Sequence, residues 1–515
     1  MGISSQTFGW LVRGAAAIAL LAGSAGPALA RGEDGRLAAK VKRFENGLRP
    51  ALRRADEPAQ RWTLAERMAH YHVPGVSIAI IENGRIVFAK GYGVKGRGRA
   101  GAVDADTVFS VGSLSKVGTA TLVLALANDK RLDLNSDINL YLSRWKVPAT
   151  PLTAGHPVTL RGLMSHSGGL SVSGFPDFEP DAKVPTLEDS LAGRFPAVTG
   201  PVLPFYVPGS RWYYSGGGTS VIQMAIEDVT GRPFADVARE RLFEPLGMSR
   251  STYQSPLPET YGNIALAHDR AGALTALPRG WQSFPETAAS GLWTTPSDYA
   301  RMLVALMESY RRTGAYLPSP IAKDMMTEVG VSRFGLGPMM SGAGDTRRFM
   351  HSGSNDSYKA WMEGHLATGN GLVIFTNAPM GRELYVELRR AVSDAFDWPF
   401  YKEVVVSPSL VPASTLDDYA GDYAIVDRTF SPANRALGGL LDRETLTVER
   451  RPEGVALLGL PLQPSTPTIF HCEGYDCDLD GGLTLEFILD ADGHPAEILL
   501  HDGRSTLVAR KRHAG

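Results

Sequence analysis

The run from Ser113 to Ala127 (SLSKVGTATLVLALA) is nearly continuous Leu, Val, Ala and Thr, with Lys116 its only charge. Its length suits a helix, and a helix apolar on all sides has to be buried. The chain therefore needs a core large enough to enclose it. Of 515 residues, 43% are hydrophobic and 21% charged, so the material for such a core is present and disorder is excluded. A chain of this length is expected to form two to four domains.

The first thirty residues stand apart. Arg13 is their only charge, Gly14 to Ala22 is a short apolar run, and Ala28-Leu29-Ala30 reads as a small-residue cleavage site. Residues 1–30 are thus expected to be a secretory signal, which places the mature chain in the periplasm or outside the cell. No later stretch is apolar and long enough to span a bilayer. With 52 basic and 54 acidic side chains there is no field to hold a polyanion, and nucleic acid is not expected as a partner. The two cysteines, Cys472 and Cys477, permit one small disulfide near the C-terminus and cannot form a cysteine-ligated zinc site.

Residues 36–72 have helix-forming composition, broken at Pro50 and Pro58. Val76 to Ile81 and Arg85 to Lys90 read as two strands joined at Asn83-Gly84. Helical segments and loops rich in Gly, Pro and Ser follow from about 130 to 290. Thr295-Pro296-Ser297-Asp298 starts a further helix. Lys359 to His365 and Gly371 to Thr376 return to strand. Beyond Pro399, residues 404–414 read as a linker, and 415–515 alternate in short strands, a sandwich or barrel. The expected fold is α/β (α+β). An antiparallel sheet flanked by helices, with an inserted all-helical lobe, fills residues 31–403, and a small C-terminal all-β domain follows.

Gly91/Gly93/Gly96 and Gly96/Gly98/Gly101 match G-x-G-x-x-G but run on as strand-like sequence, so they do not form a dinucleotide site. No serine sits in G-x-S-x-G, and no H-E-x-x-H or Walker motif occurs. His70 and His72 read as structural or exposed.

Ser113-Leu114-Ser115-Lys116 carries chemistry. Residues i and i+3 share a helix face, so the lysine amine can reach the serine hydroxyl. Serine needs a base, and lysine serves as one only if burial lowers its pKa from about 10.4 toward 7. The apolar helix supplies that burial. Ser143-Arg144-Trp145-Lys146 has the same spacing in a polar stretch and reads as surface.

Phe109-Ser110-Val111-Gly112, the apolar helix, Tyr214-Ser215-Gly216 and His351-Ser352-Gly353 follow one another at separations of about 100 and 140 residues. In this order they resemble the serine β-lactamase and penicillin-binding-protein-like superfamily. Val73 to Val76, Leu163 to Leu170, Leu242 to Met248 and Ser290-Gly291-Leu292 resemble its class C β-lactamase, D-peptidase and family VIII esterase branch. Leu416 to Tyr423 (LDDYAGDY) resembles the small barrel appended to D-aminopeptidases. The earlier His166-Ser167-Gly168 ends a helical run and reads as structural.

The resemblance implies an acyl-enzyme on Ser113, with Lys116 and Tyr214 shuttling the proton and either one as base. It implies an oxyanion hole from the backbone N–H groups of Ser113 and Ser354. His351 would line the site and orient Tyr214 or substrate, and Gly353 would let substrate lie against the strand. No metal and no organic cofactor is called for. Two positions depart from the family. Gly216 stands where β-lactamases have an Asn, and His351 where they have a Lys. Both changes lead one to expect a more open, less charged pocket and a small ester, amide or D-peptide substrate. The ester or small-amide reading ranks first, and β-lactamase or D-alanyl-D-alanine-type peptidase action stands as the alternative. A non-catalytic binder built on the same pocket is a further one.

Overall fold

The computed structural model describes residues 27–178, 183–275, 285–312, 316–427, 440, 443–472, 483–501 and 506–512. Its central layer is a six-stranded antiparallel sheet. The strand order is Arg85–Gly93, Gly75–Glu82, Gly371–Thr376, Lys359–His365, Arg348–Ser354 and Met339–Ser341. Strands Gly75–Glu82 and Gly371–Thr376 are buried along almost their whole length because both faces of the sheet are covered. Along Gly75–Glu82, Val76, Ile78 and Ile80 enter one core while Ala79 and Ile81 enter the other, as the two-residue period of a strand requires.

One core holds helix Gly381–Ala395, whose Leu384, Leu388 and Val392 pack on the sheet. The other holds helices Ser115–Asn128 and Pro296–Arg311. Twelve residues of Ser115–Asn128 are buried, Ser115 through Leu126, so the enclosure its composition demands is met. Helix Pro296–Arg311 starts where expected: the Thr295 side chain accepts from Asp298 N, with Pro296 in the first turn. Between residues 130 and 290 the main helices are Leu160–Met164, Leu187–Ala192, Gly216–Thr230 and Phe234–Ala238. This is the inserted helical lobe.

The C-terminal strands, from Gly421–Ile425 to Thr506–Lys511, close an eight-stranded barrel. That decides between sandwich and barrel. Its core, with Tyr419, Tyr423, Phe470 and Phe487, is separate from the two around the sheet. The 404–414 segment carries a strand of its own: Val404–Val406 pairs in parallel with Leu52–Arg54. Cys472 is buried at the end of strand Ile469–Cys472, while Cys477 lies outside the described residues. So do residues 1–26 of the expected signal; Ala30 lies in helix Pro27–Glu45. Among the described residues no helix is long and apolar enough to cross a membrane.

Candidate functional site

Ser113 sits in a single 3₁₀ turn, Gly112–Leu114, that leads into helix Ser115–Asn128. It is half-buried between buried neighbours and faces the positive end of that helix. The turn is clamped from several sides. Val111 N donates to Leu292 O at 3.1 Å, and Leu292 N donates to Ser115 Oγ at 2.9 Å. Ser115 Oγ donates to Gly112 O at 2.6 Å. Tyr299 and Tyr253 donate their hydroxyls to Leu114 O and Ser115 O. Within the Ser290-Gly291-Leu292 motif, the Leu292 backbone thus holds the turn that carries Ser113.

Strand Arg348–Ser354 meets the turn edge-on. Gly112 has φ +51°, and a Cβ there would lie 2.7 Å from Ser354 N. A Cβ on Gly353 would lie 1.9 Å from Val111 O. Only glycine at both positions allows this approach, which brings Ser354 N against Gly112, the residue before Ser113. The last four residues of the strand pair with Lys359–His365 on one side and have no partner in the short strand Met339–Ser341 on the other.

Lys116 is 5% exposed. Its Nζ donates to Ser113 Oγ at 3.1 Å and to Ala289 O at 2.8 Å. Burial pushes its ammonium down to about 7. The same Nζ lies 5.0 Å from the centre of the Tyr214 ring. Ser113 and Tyr214 therefore both lie beside Lys116 Nζ. Ser143 and Lys146 are exposed, and Lys146 Nζ donates to Asn139 O and Leu142 O rather than to Ser143.

His351 is buried, with its Nδ1 2.6 Å from Ser352 O. Its ring centre lies 6.3 Å from that of Tyr214 and 5.8 Å from that of Phe334. These contacts favour orienting Tyr214 over touching substrate. His166, which reads as structural from sequence, packs more closely on Tyr214, at 4.2 Å between ring centres. Its Nδ1 accepts from Ser215 N at 3.2 Å, so the ring proton sits on Nε2. Burial, then the proximity of Lys116 and His351, pushes its pKa well below 6.5. Phe334 packs edge-on against His166 and stacks on Trp212. His166 lies within the Leu163–Leu170 motif, and that membership was the one signal of a role; Phe334 and Ala289 carried none.

At Gly216 a neighbouring segment packs closely. Segment 171–174 lies across the start of helix Gly216–Thr230. Gly216 N donates to Ser173 O at 3.2 Å and Gly217 N to Val172 O at 2.9 Å. A Cβ on Gly216 would lie 3.2 Å from Ser173 O and 3.4 Å from Phe175 Cε2. The start of a side chain at Gly216 is thus crowded, because the glycine pair lets backbone come this close.

The sequence pattern described as Beta-lactamase matches residues 61–395. Penicillin-binding protein 4 of Amycolatopsis lactamdurans is 28% identical over 287 residues, 55% of this chain and 70% of that protein. Protein flp of Staphylococcus aureus (strain MW2) is 23% identical over 316 residues, 59% of this chain, and the match spans 60% of flp, under two thirds of its length. The octameric penicillin-binding protein homologue from Pyrococcus abyssi superposes with a TM-score of 0.53 at 20% identity. That match covers 87% of this chain and 98% of the other, and shows a shared fold.

Proposed function

Since the chain belongs to the Beta-lactamase family, we propose that it is an exported serine hydrolase cleaving carboxylic esters or small amides through an acyl-enzyme on Ser113. The observation that carries this is Lys116: buried, 3.1 Å from Ser113 Oγ, and pushed down to about 7. An amine near its pKa at neutral pH can take the hydroxyl proton as the C–O bond forms.

Ser113 Oγ attacks the substrate carbonyl, and its proton passes to Lys116 Nζ or through Tyr214. The developing oxyanion is met by the N–H groups of Ser113 and Ser354 at the positive end of helix Ser115–Asn128. Collapse expels the alcohol or amine, which takes the proton and leaves an ester on Ser113. Water then adds to that ester with the same groups as base, releasing the acid and restoring the serine. Every step uses side chains and backbone of this chain.

The Lys-to-His change at 351 removes the permanent charge that would hold a substrate carboxylate, which favours neutral esters. A β-lactam or D-alanyl peptide remains the second reading, supported by the likeness to Penicillin-binding protein 4. Comparing turnover of p-nitrophenyl esters and nitrocefin tests the order. Fast nitrocefin cleavage with weak ester cleavage would reverse it. A fluorescent phosphonate should label wild type and Ser143→Ala but not Ser113→Ala; an unlabelled wild type would point to a non-catalytic binder.

A further inference from the structure

Residues 171–178 are fastened at two points, one next to Tyr214 and one next to Ser354. On the Tyr214 side, Ser215 Oγ donates to Ser171 O at 2.8 Å, and Gly216 and Gly217 donate to Ser173 O and Val172 O. On the Ser354 side, Asp356 N donates to Asp177 Oδ2 at 3.1 Å. Phe175 lies between these anchors, half-buried, with its ring edge 3.4 Å from the place a Gly216 side chain would start. The anchors flank Ser113: Tyr214 packs near Lys116, and Ser354 abuts Gly112.

We propose that segment 171–178 is a specificity strap whose Phe175 ring walls the acyl side of the cleft and selects esters of apolar, uncharged acids. The inference rests on the ester-hydrolase reading above and names its substrate class. Three features carry it. First, the polar side chain that would meet an acyl amide is absent at Gly216, and an aromatic ring edge stands in its place. A polar acyl group would lose water there and gain no partner.

Second, the N–H groups of Gly216 and Gly217 are taken by strap carbonyls, so this helix start offers no donor to a substrate carboxylate. Gly217 has to be glycine for the strap to seat, since a Cβ there would lie 2.8 Å from Ser171 O. Third, the start of the strap is bonded to Leu203. Leu170 bridges Pro204, and Ser171 N donates to Leu203 O. Leu203 and Phe205 are 42% and 52% exposed, so exposed apolar surface adjoins the start of the strap. The occupant that suits it is the tail of the substrate's own acyl group, which gains by burying area against Phe175.

The test is a chain-length series of p-nitrophenyl acetate, butyrate and octanoate on wild type, Phe175→Ala and Phe175→Leu. Wild type should favour octanoate over acetate in kcat/KM. Phe175→Ala should lower kcat/KM for octanoate about tenfold while acetate stays within about twofold. Phe175→Leu, which keeps apolar bulk, should fall between them. An octanoate-to-acetate ratio unchanged in Phe175→Ala, or a wild-type preference for acetate, overturns the strap inference and leaves the ester-hydrolase reading standing. A wild type that cleaves nitrocefin but none of the three esters overturns both.

Discussion

With its ammonium pushed down to about 7, Lys116 is about half-neutral at neutral pH, and both the rate and the stability of the protein should register that. For the rate, the neutral amine is the active form. The kcat/KM for an ester should rise with pH through about 7 and level off above it, measured from pH 5.5 to 9 at constant ionic strength. For stability, the unfolded lysine titrates near 10.4, so the folded state binds fewer protons between about 7 and 10.4. The penalty is full below 7, about 4 kcal/mol, and fades as pH rises toward 10.4. Lys116→Met should therefore be inactive yet melt at a higher temperature than wild type. The gain should be larger at pH 7 than at pH 9.5, as calorimetry at the two pH values would show. His166 packs on Tyr214 and is expected to act through it. His166→Phe keeps the ring against Tyr214 but removes the acceptor for Ser215 N–H, so kcat should fall about tenfold with KM little changed. An unchanged kcat would reduce this histidine to packing.

Two elements meet at the nucleophile, and their spacing is set by glycine. The edge strand Arg348–Ser354 lies so close to the turn that an added methyl on Gly353 would fall 1.9 Å from Val111 O. Backbone has to move to admit it. Gly353→Ala should cost about 100-fold or more in kcat/KM, because the Ser354 N–H proposed as an oxyanion donor is displaced relative to Ser113. Far-UV circular dichroism matching wild type would tie the loss to the site, and activity within a fewfold of wild type would show the edge strand to be uninvolved. Much of this junction is readable in sequence. Ser113 and Lys116 are one helical step apart, so their pairing is local, and the following run of apolar residues announces the burial that tunes the lysine. Strands Lys359–His365 and Gly371–Thr376 begin and end where their composition changes. The strap is not readable. Residues 171–178 have no helical or strand period, and their course depends on the Gly216-Gly217 pair some forty residues on. His166 escapes for a related reason: its contact with Tyr214 joins two loops, and no local pattern reports it.

At the scale of the whole molecule, the alternating strands after residue 415 disclose an all-β module, but closure does not show in the pattern. It depends on strand Gly421–Ile425 pairing with Thr506–Lys511 across almost the whole module. Equally hidden is the parallel pairing of Leu52–Arg54 with Val404–Val406, which secures the expected linker to the hydrolase domain over some 350 residues of sequence. That pairing decides where the chain can be cut. A chain ending at Leu410 keeps the Val404–Val406 strand, and it removes Val411 together with the barrel core to which Val411 belongs. Ser113, Lys116, Tyr214, His351 and Ser354 all lie before the cut. The barrel core shares no residue with the two cores around the sheet. Across the junction, Ser407 N donates to Pro464 O, and the exposed, solvent-screened Arg54–Glu453 pair adds little. Two modules with separate cores and a narrow junction should unfold separately. Calorimetry of the full chain should resolve two transitions, and the shortened chain should keep only the one that tracks loss of esterase activity. Its kcat/KM on p-nitrophenyl butyrate should stay within about threefold of the full chain, since no group assigned to the chemistry is removed. A single transition, or a loss of activity beyond about tenfold in a shortened chain that still folds, would make the barrel a working part of the site.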